Sequence, residues 1–377
     1  MTSSRIPQQS IVVAIPAKNE ACRIGDCLDA LARQQSTFVF QVLLLLNNCT
    51  DETAAVAGDR AFRLRLRVHI REVTLPPFQA NAGQARALAM SYAAALAGPD
   101  GILLTTDADG RVCPDWLSAN LAALERGCDA VAGRAEIDSV EAALIPATLH
   151  EDDARECAYA AMLDEIETLV DPDPADPWPR HSEHSGASIA VTVKAYRQSG
   201  GVPAVSLGED RAFFEALRRT DARIRHEPEA RVIVSGRIEG RAVGGMADTI
   251  RRRMKQPDEI IDDRLEPAFN ATRRLWLRSQ LRRLWLAADR RCDAAIAKAL
   301  QLEATEVSKL LRSDYFGAAW AKVQRVSPAL EKQRVAVADL ANQAERASSI
   351  LQMLRSDRRS RPALANPADT QVLGDAP

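Results

Sequence analysis

The first half of the chain alternates short apolar runs with longer segments in which apolar residues recur every three or four positions. Residues 11–15 (IVVAI) are apolar without interruption and stop at Pro16, the pattern of a strand covered on both faces. Ile24, Leu28 and Leu31 follow at helical spacing and form one stripe. A second run at 39–46 (VFQVLLLL) halts at Asn47, a partly alternating segment fills 66–73, and an alanine-rich helix is predicted over 84–96. The run at 102–106 halts at Asp107, and a helix over 116–125 and a strand over 129–137 come next. Strands alternating with helices predict an α/β fold, a doubly wound and mostly parallel sheet with helices on both faces. Such sheets bind ligands beyond the carboxyl ends of their strands, and the polar clusters 18–20, 47–51 and 107–109 all fall there.

The texture changes after about residue 150. A helix is predicted over 151–170, followed by DPDPADPWPR, a Pro-rich acidic stretch that cannot be regular structure. Strands are predicted over 187–193 and 230–235, with a helix over 209–219 between them. Beyond 245 the pattern is helical. The expected organisation is a sheet domain over 1–245 with halves of about 1–140 and 141–245, a helical region over 246–356, and a disordered tail over 357–377.

Composition narrows the function classes. A chain of 377 residues with a net charge of -2 lacks the broad basic field needed to hold a nucleic-acid backbone, so no nucleic acid is expected as a partner. No run approaches the ~18 apolar residues that cross a bilayer, and the opening MTSSRIPQQS is too polar for a secretory signal. The seven cysteines are scattered and lack CxxC pairing, which suits reduced thiols and a cytoplasmic location.

The strongest chemical signal is Asp107-Ala108-Asp109 directly after the run ILLTT. Two carboxylates at i and i+2 on a strand-end turn suit a hard divalent cation. The cation would in turn neutralise a diphosphate, at about 4 kcal/mol per unit charge product for ~4 Å and an effective dielectric near 20. A solvated turn is the plain alternative for this short motif.

VVAIPAKNE, LNNCTDET, NAGQARALAM, the strand–DAD turn and GEDRAFFEALRR occur in this order, and together they resemble the GT-A-fold family-two glycosyltransferases over about residues 11–240. The resemblance implies an inverting, metal-dependent transfer of a sugar from a nucleotide-sugar donor to a hydroxyl acceptor, with Mn2+ or Mg2+ as cofactor. It assigns Pro16, Ala17, Asn19 and Glu20 to the loop that holds the nucleotide, where a helix cap is the structural alternative. Asn47, Asn48 and Asp51 match the loop that reads the nucleobase, although Leu46-Asn47 stands where relatives often carry paired acids. Arg86 matches a position that contacts base or phosphate. Asp109 matches the metal ligand, and Asp107 faces ribose or metal. Glu209-Asp210 matches the acidic pair whose Asp is the general base of inverting members; the alternative is a helix-start pair that suits the dipole. A positioned base is worth about 10²–10⁴-fold, or roughly 3–5 kcal/mol of barrier. Gly200 and Gly201, in Gly200-Gly201-Val202-Pro203, resemble the acceptor loop.

Three features lie outside those motifs. His181 and His184 in RHSEHSGAS read as acceptor-side or phosphate contacts, as structural loop residues, or as part of a metal site. Many relatives supply a late His to the metal; here the segment reads SGRIEGR, and Arg237 or Arg241 is expected to neutralise the leaving diphosphate in its place. The basic stretch ATRRLWLRSQLRRLWLAADRR places Leu277, Leu281, Leu284 and Ala288 on one helical face with Trp276 and Trp285 beside it. Packing or oligomerisation with solvated arginines is one reading, and peripheral contact with an anionic membrane is the other. The acceptor, a small molecule or a lipid-linked group, is not written in these residues. Rival readings are a retaining transferase, a nucleotidyltransferase on a similar sheet, and a non-catalytic nucleotide-sugar-binding or scaffold protein.

Overall fold

The computed structural model describes residues 10–238, 245–256 and 258–360, with side chains to residue 357. Among them, β1 (Ile11–Ala17), β2 (Phe40–Asn47), β3 (Val68–Val73), β4 (Ile102–Thr105), β5 (Arg111–Val112), β6 (Ala130–Ile137), β7 (Ile189–Thr192) and β8 (Ile224–Val234) form one sheet in the order β3-β2-β1-β4-β7-β6-β8-β5. β1 runs parallel to β2 and β4, β2 to β3, and β6 to β8, whereas β7 is antiparallel to both its neighbours. That reversal sets Ile189, the start of β7, opposite Thr105, the end of β4. The loop entering β7 therefore arrives at the same sheet edge as the aspartates after β4.

The helices of the first part are α1 (Ile24–Ala32), α2 (Thr53–Leu64), α3 (Ala82–Ala97), α4 (Trp116–Glu125), α5 (Ser139–Ala142), α6 (Ala147–Val170), α7 (Val193–Gln198) and α8 (Glu209–Arg219). The apolar strands split their side chains between two cores, as a period of two requires. Val13, Ile15, Leu44, Leu46 and Leu104 pack with Leu28 of α1 and Trp116 of α4. Val12, Ala14, Leu43, Leu45 and Leu103 pack with Ala89 and Met90 of α3 and Phe213 and Phe214 of α8. Removing one such side chain to alanine costs about 2–5 kcal/mol. The fold is thus the expected α/β sheet with helices on both faces.

The remaining helices are α9 (Met246–Lys255), α10 (Ala268–Leu286), α11 (Ala294–Leu300), α12 (Ala304–Leu310), α13 (Phe316–Val326) and α14 (Leu340–Ser360). Tyr159 and Ile166 of α6 share a core with Ala268 of α10 and Ala347 and Leu351 of α14. Leu277 and Leu281 of α10 share another with Ile296, Leu300, Phe316 and Val323. Asp221, just past α8, accepts hydrogen bonds from the backbone N–H groups of Phe316 (2.7 Å) and Gly317 (2.6 Å) and so caps α13. A Cβ on Gly317 would lie 1.7 Å from the Arg218 carbonyl oxygen, so α13 sits hard against the end of α8.

Several local expectations differ. The strand expected at 230–235 begins at Ile224, because a bulge between Ala132 and Arg134 shifts its pairing with β6 and accommodates Pro228. The run 187–193 yields a shorter strand, since the Thr192 hydroxyl accepts the Ala195 N–H (3.2 Å) and starts α7 at Val193. The arginines of α10 are not simply solvated. Arg278 pairs with Glu167 (2.6 Å) and Asp171 (2.5 Å), Arg282 with Asp171 (3.1 Å) and Arg274 with Glu266 (2.7 Å). Ala288 lies past the end of that helix. α14 continues past the boundary expected at 357, to Ser360. No helix of the described residues is long and apolar enough to cross a membrane.

Candidate active site

β1, β2 and β4 lie side by side, so the clusters after them meet at one edge. The loops there are stitched by their own polar side chains. Asn19, at φ 55°, accepts the Thr50 N–H (2.7 Å) and donates to the Thr50 hydroxyl (3.2 Å). Asp51 accepts the N–H groups of Ala21 (3.1 Å) and Thr53 (3.1 Å) and the Thr53 hydroxyl, and the Glu20 N–H donates to that hydroxyl oxygen (2.8 Å). Asn48 brackets Leu75, accepting its N–H (3.0 Å) and donating to its carbonyl (2.9 Å). These three residues, expected at the nucleotide, build the rim of the crevice. Asn47 differs: it is buried, and its Oδ1 has no hydrogen-bond partner among the described residues. Pro16 and Ala17 are the last two residues of β1.

Arg86 of α3 is buried, and four of its N–H groups are engaged. Nε donates to Glu209 (3.0 Å), one terminal nitrogen to the Thr105 hydroxyl (3.0 Å) and the Gly186 carbonyl (2.8 Å), and the other to Asp107 (2.6 Å). These bonds tie the end of β4 to the start of α8.

Asp107, Ala108 and Asp109 occupy the turn after β4, with Ala108 buried beneath. Burial, reinforced by Asp107 and Glu20 and opposed by Arg237, raises the Asp109 carboxyl to about 6. Arg237 bridges Asp109 (3.0 Å) and Glu20 (3.0 Å). Glu141 shapes that arginine's loop by accepting the Gly236 N–H (2.5 Å) and the Ser235 hydroxyl (2.9 Å). Arg241 lies outside the described residues. No group of three or more His, Cys, Asp or Glu is disposed to hold a metal among the described residues.

Gly208, at φ 72°, makes the sharp entry to α8, whose first turn is Glu209 and Asp210. The Asp210 carboxylate accepts the N–H groups of Gly186 (3.1 Å) and Arg211 (2.7 Å). Burial, and next Glu209, push its carboxyl above the ordinary aspartate value. Gly200 and Gly201 are left-handed residues (φ 86° and 79°) that end α7; the Gly201 N–H donates to the Tyr196 carbonyl (2.8 Å). Their contacts build that turn. His181 and His184 sit in a buried cluster behind α8. His184 stacks on Phe214 (4.4 Å between centroids) and meets His226 (3.2 Å), which bonds Asp176 (2.6 Å). Burial lowers His181 to about 4 and holds His184 and His226 well below the usual histidine range. These neutral imidazoles, His184 stacked on Phe214 and His181 edge-on to His226, pack the loop entering β7 against β8. Sequence reasoning missed Thr105 and Gly186; the small-residue run SGAS was the available signal for the latter.

Residues 12–167 match the family described as Glycosyl transferase family 2. No curated protein matches the sequence. Among solved structures, the chain is similar to TarS of S. aureus, residues 1–349 in complex with UDP-GlcNAc, at 15% identity and a TM-score of 0.46 over 94% of this chain and 93% of that one. It is also similar to the mannosyltransferase PcManGT of Pyrobaculum calidifontis in complex with GDP-Man and Mn2+, at 16% identity and a TM-score of 0.43 over 95% and 82%. A third is glucosyl-3-phosphoglycerate synthase of Mycobacterium tuberculosis in complex with Mn2+, UDP and phosphoglyceric acid, at 17% identity and a TM-score of 0.38 over 66% and 78%. The family match spans β1, β2, β4 and the polar clusters after them, while Gly186, Glu209, Asp210 and Arg237 lie beyond it, and it supports the chain's being a glycosyltransferase.

Proposed function

We propose that the chain transfers a sugar, with inversion, from a nucleoside-diphosphate sugar to a hydroxyl acceptor, using Asp210 as general base and a divalent cation, Mn2+ or Mg2+, held by Asp107 and Asp109. In this reading residues 1–245 are the transferase unit and α9–α14 its backing. The observation that carries it is the placing of two carboxylate pairs from distant parts of the chain, 107/109 and 209/210, on either side of one buried guanidinium. The acceptor O–H bond breaks and its proton goes to Asp210. The freed oxygen bonds the anomeric carbon from one face while the nucleoside diphosphate leaves from the other with the electron pair. Two backbone N–H groups aim the Asp210 carboxylate, and burial makes it a stronger base than a solvated aspartate.

The residues fit a hard cation. Asp109 is held near pH 6 because burial and Asp107 leave it short of positive charge, and carboxylate oxygens are the donors that Mg2+ and Mn2+ prefer. When bound, such an ion neutralises diphosphate oxygens. Arg237 adds a permanent charge beside it, and its planar fork suits phosphate. Asn47 offers a buried amide with an open acceptor to the nucleobase edge.

The test is a panel of nucleotide sugars, assayed for donor turnover with and without Mn2+ or Mg2+, with product anomers read by NMR. Metal-dependent turnover with inversion is expected; retention of configuration, or no turnover of any donor, overturns the reading. A non-catalytic binding protein would be indifferent to both Asp109→Ala and Asp210→Asn.

A further inference from the structure

We propose that Arg86 is a positioning residue, which fixes the proton-accepting carboxylate of α8 relative to the aspartate turn after β4, and does not itself touch the donor. The proposal rests on the reading of Asp210 as the base. The guanidinium joins four segments that are far apart in sequence: its bond to Glu209 spans 123 positions and its bond to Gly186 spans 100. Gly186 carries the link onward, because its carbonyl accepts from Arg86 while its N–H donates to Asp210. A single buried cation therefore reaches the base by two routes, through the neighbouring Glu209 and through the Gly186 peptide.

The surroundings are shaped around that side chain. A Cβ on Gly186 would lie 2.5 Å from a terminal nitrogen of Arg86, so the loop entering β7 needs glycine there to pass the guanidinium. A Cβ on Gly83, in the first turn of α3, would lie 1.9 Å from the Val205 carbonyl oxygen, so the helix bearing Arg86 is pressed against the segment leading into Glu209. Only an arginine satisfies this geometry: a planar fork meets two carboxylates, a hydroxyl and a carbonyl at once, whereas a lysine ammonium is a compact point charge. With one N–H left over, Arg86 has little to offer a phosphate.

The decisive variants are Arg86→Lys, which keeps the buried charge, Arg86→Met, which removes it, and Gly186→Ala, which crowds the guanidinium. Expected for Arg86→Met is a kcat loss of about 100-fold, the scale for small misplacement of a catalytic group, with nucleoside-diphosphate affinity by calorimetry changed less than about 3-fold. The acid limb of the kcat/KM profile should also move to higher pH. The charges facing Asp210 are Glu209 on its own helix and Arg86 from α3, with the Arg211 side chain turned to Asp263, so removing Arg86 leaves its acidic neighbour unopposed. Arg86→Lys and Gly186→Ala should lose kcat to a smaller degree, and free guanidinium should partly restore Arg86→Ala. If instead the loss is confined to donor affinity, with kcat and the acid limb unmoved, Arg86 is a donor contact and the proposal fails. If Arg86→Met does not fold, wild-type kcat in Arg86→Lys overturns it just as firmly. An active Asp210→Asn would count against the base, not against the tie. In that event hydrogen exchange at the Gly186 and Arg211 amides decides, with faster exchange in Arg86→Lys supporting the tie and unchanged exchange refuting it.

Discussion

Two clusters of buried charge in this molecule are built from the same residue types to opposite ends. In the inner cluster, between α6, the Pro-rich loop, β8 and α10, Arg180 meets Glu167 (3.3 Å) and Asp176 (3.1 Å), and Arg225 meets Asp176 (3.3 Å). Arg278 meets Glu167 and Asp171 in the same network. Its aspartates at 171 and 176 are each about 4% exposed and each pairs with two arginines, although burial still pushes the Asp176 carboxyl up. In the crevice cluster the Asp107 and Asp109 side chains keep 34% and 18% of their exposure. There only Arg86 and Arg237 are paired with Asp107, Glu209, Glu20 and Asp109 among the described residues, so positive charge is in short supply. A closed, balanced network stabilises a packing arrangement, since losing one partner strands a charge. An open, acid-rich one is poised to take a cation or a proton.

The sharpest way to break the comparison is Asp210→Asn. It should lower kcat by about 10²–10⁴-fold, leave nucleotide affinity unchanged and leave the melting temperature equal or higher, since an aspartate with a raised carboxyl is a cost to the fold at neutral pH. Asp109→Asn should weaken Mn2+-dependent nucleotide binding by about 100-fold, near 3 kcal/mol, with little effect on binding without metal; calorimetry in both conditions checks this. The mirror experiment is Arg278→Met in the inner cluster, which should cost about 2–3 kcal/mol of stability in thermal unfolding while donor affinity stays at its wild-type value. Equal effects of these changes on binding and stability would erase the distinction.

The smallest effect belongs to Asp164, a buried residue of α6 whose carboxyl is raised from 3.8 to about 7, chiefly by burial and against the pull of Arg180. Its folded value lies above its unfolded one, so between about pH 4 and 7 the folded chain holds a proton that the unfolded chain lacks. That contribution is lost as pH rises through 7, by about 1.4 kcal/mol from pH 6 to pH 8. Asp164→Asn should flatten that portion of the stability curve; chemical denaturation at the two pH values reads it directly.

The sequence carried the sheet and the strand-end clusters because those signals are local: an apolar run that halts at Asn47 or Asp107 marks its own end. The use made of each polar side chain was not local. Asn19, Asn48 and Asp51 look like ligand contacts in a linear motif, yet their hydrogen bonds go to partners about 30 positions away or to the start of the next helix. Arg86 finds Glu209, and Arg237 finds Glu20 across 217 positions, only because β7 reverses the sheet and β8 returns beside β6. His181 and His184 gave no hint of burial, because their neighbours His226 and Asp176 come from β8 and the Pro-rich loop. The start of β8 and the last residues of α14 escaped for simpler reasons: a proline hidden in a bulge, and a helix with no Gly or Pro up to Ser360.

The helix α8 is a rod of eleven residues, roughly 16 Å long at 1.5 Å per residue. One tip bears the acid that would draw off the acceptor's proton, and the other is clamped by Asp221 to the front of α13. The outer helices are therefore an abutment for the reaction centre and no detachable ornament. Whatever leans on α13 from outside leans, through one stiff strut, on the chemistry.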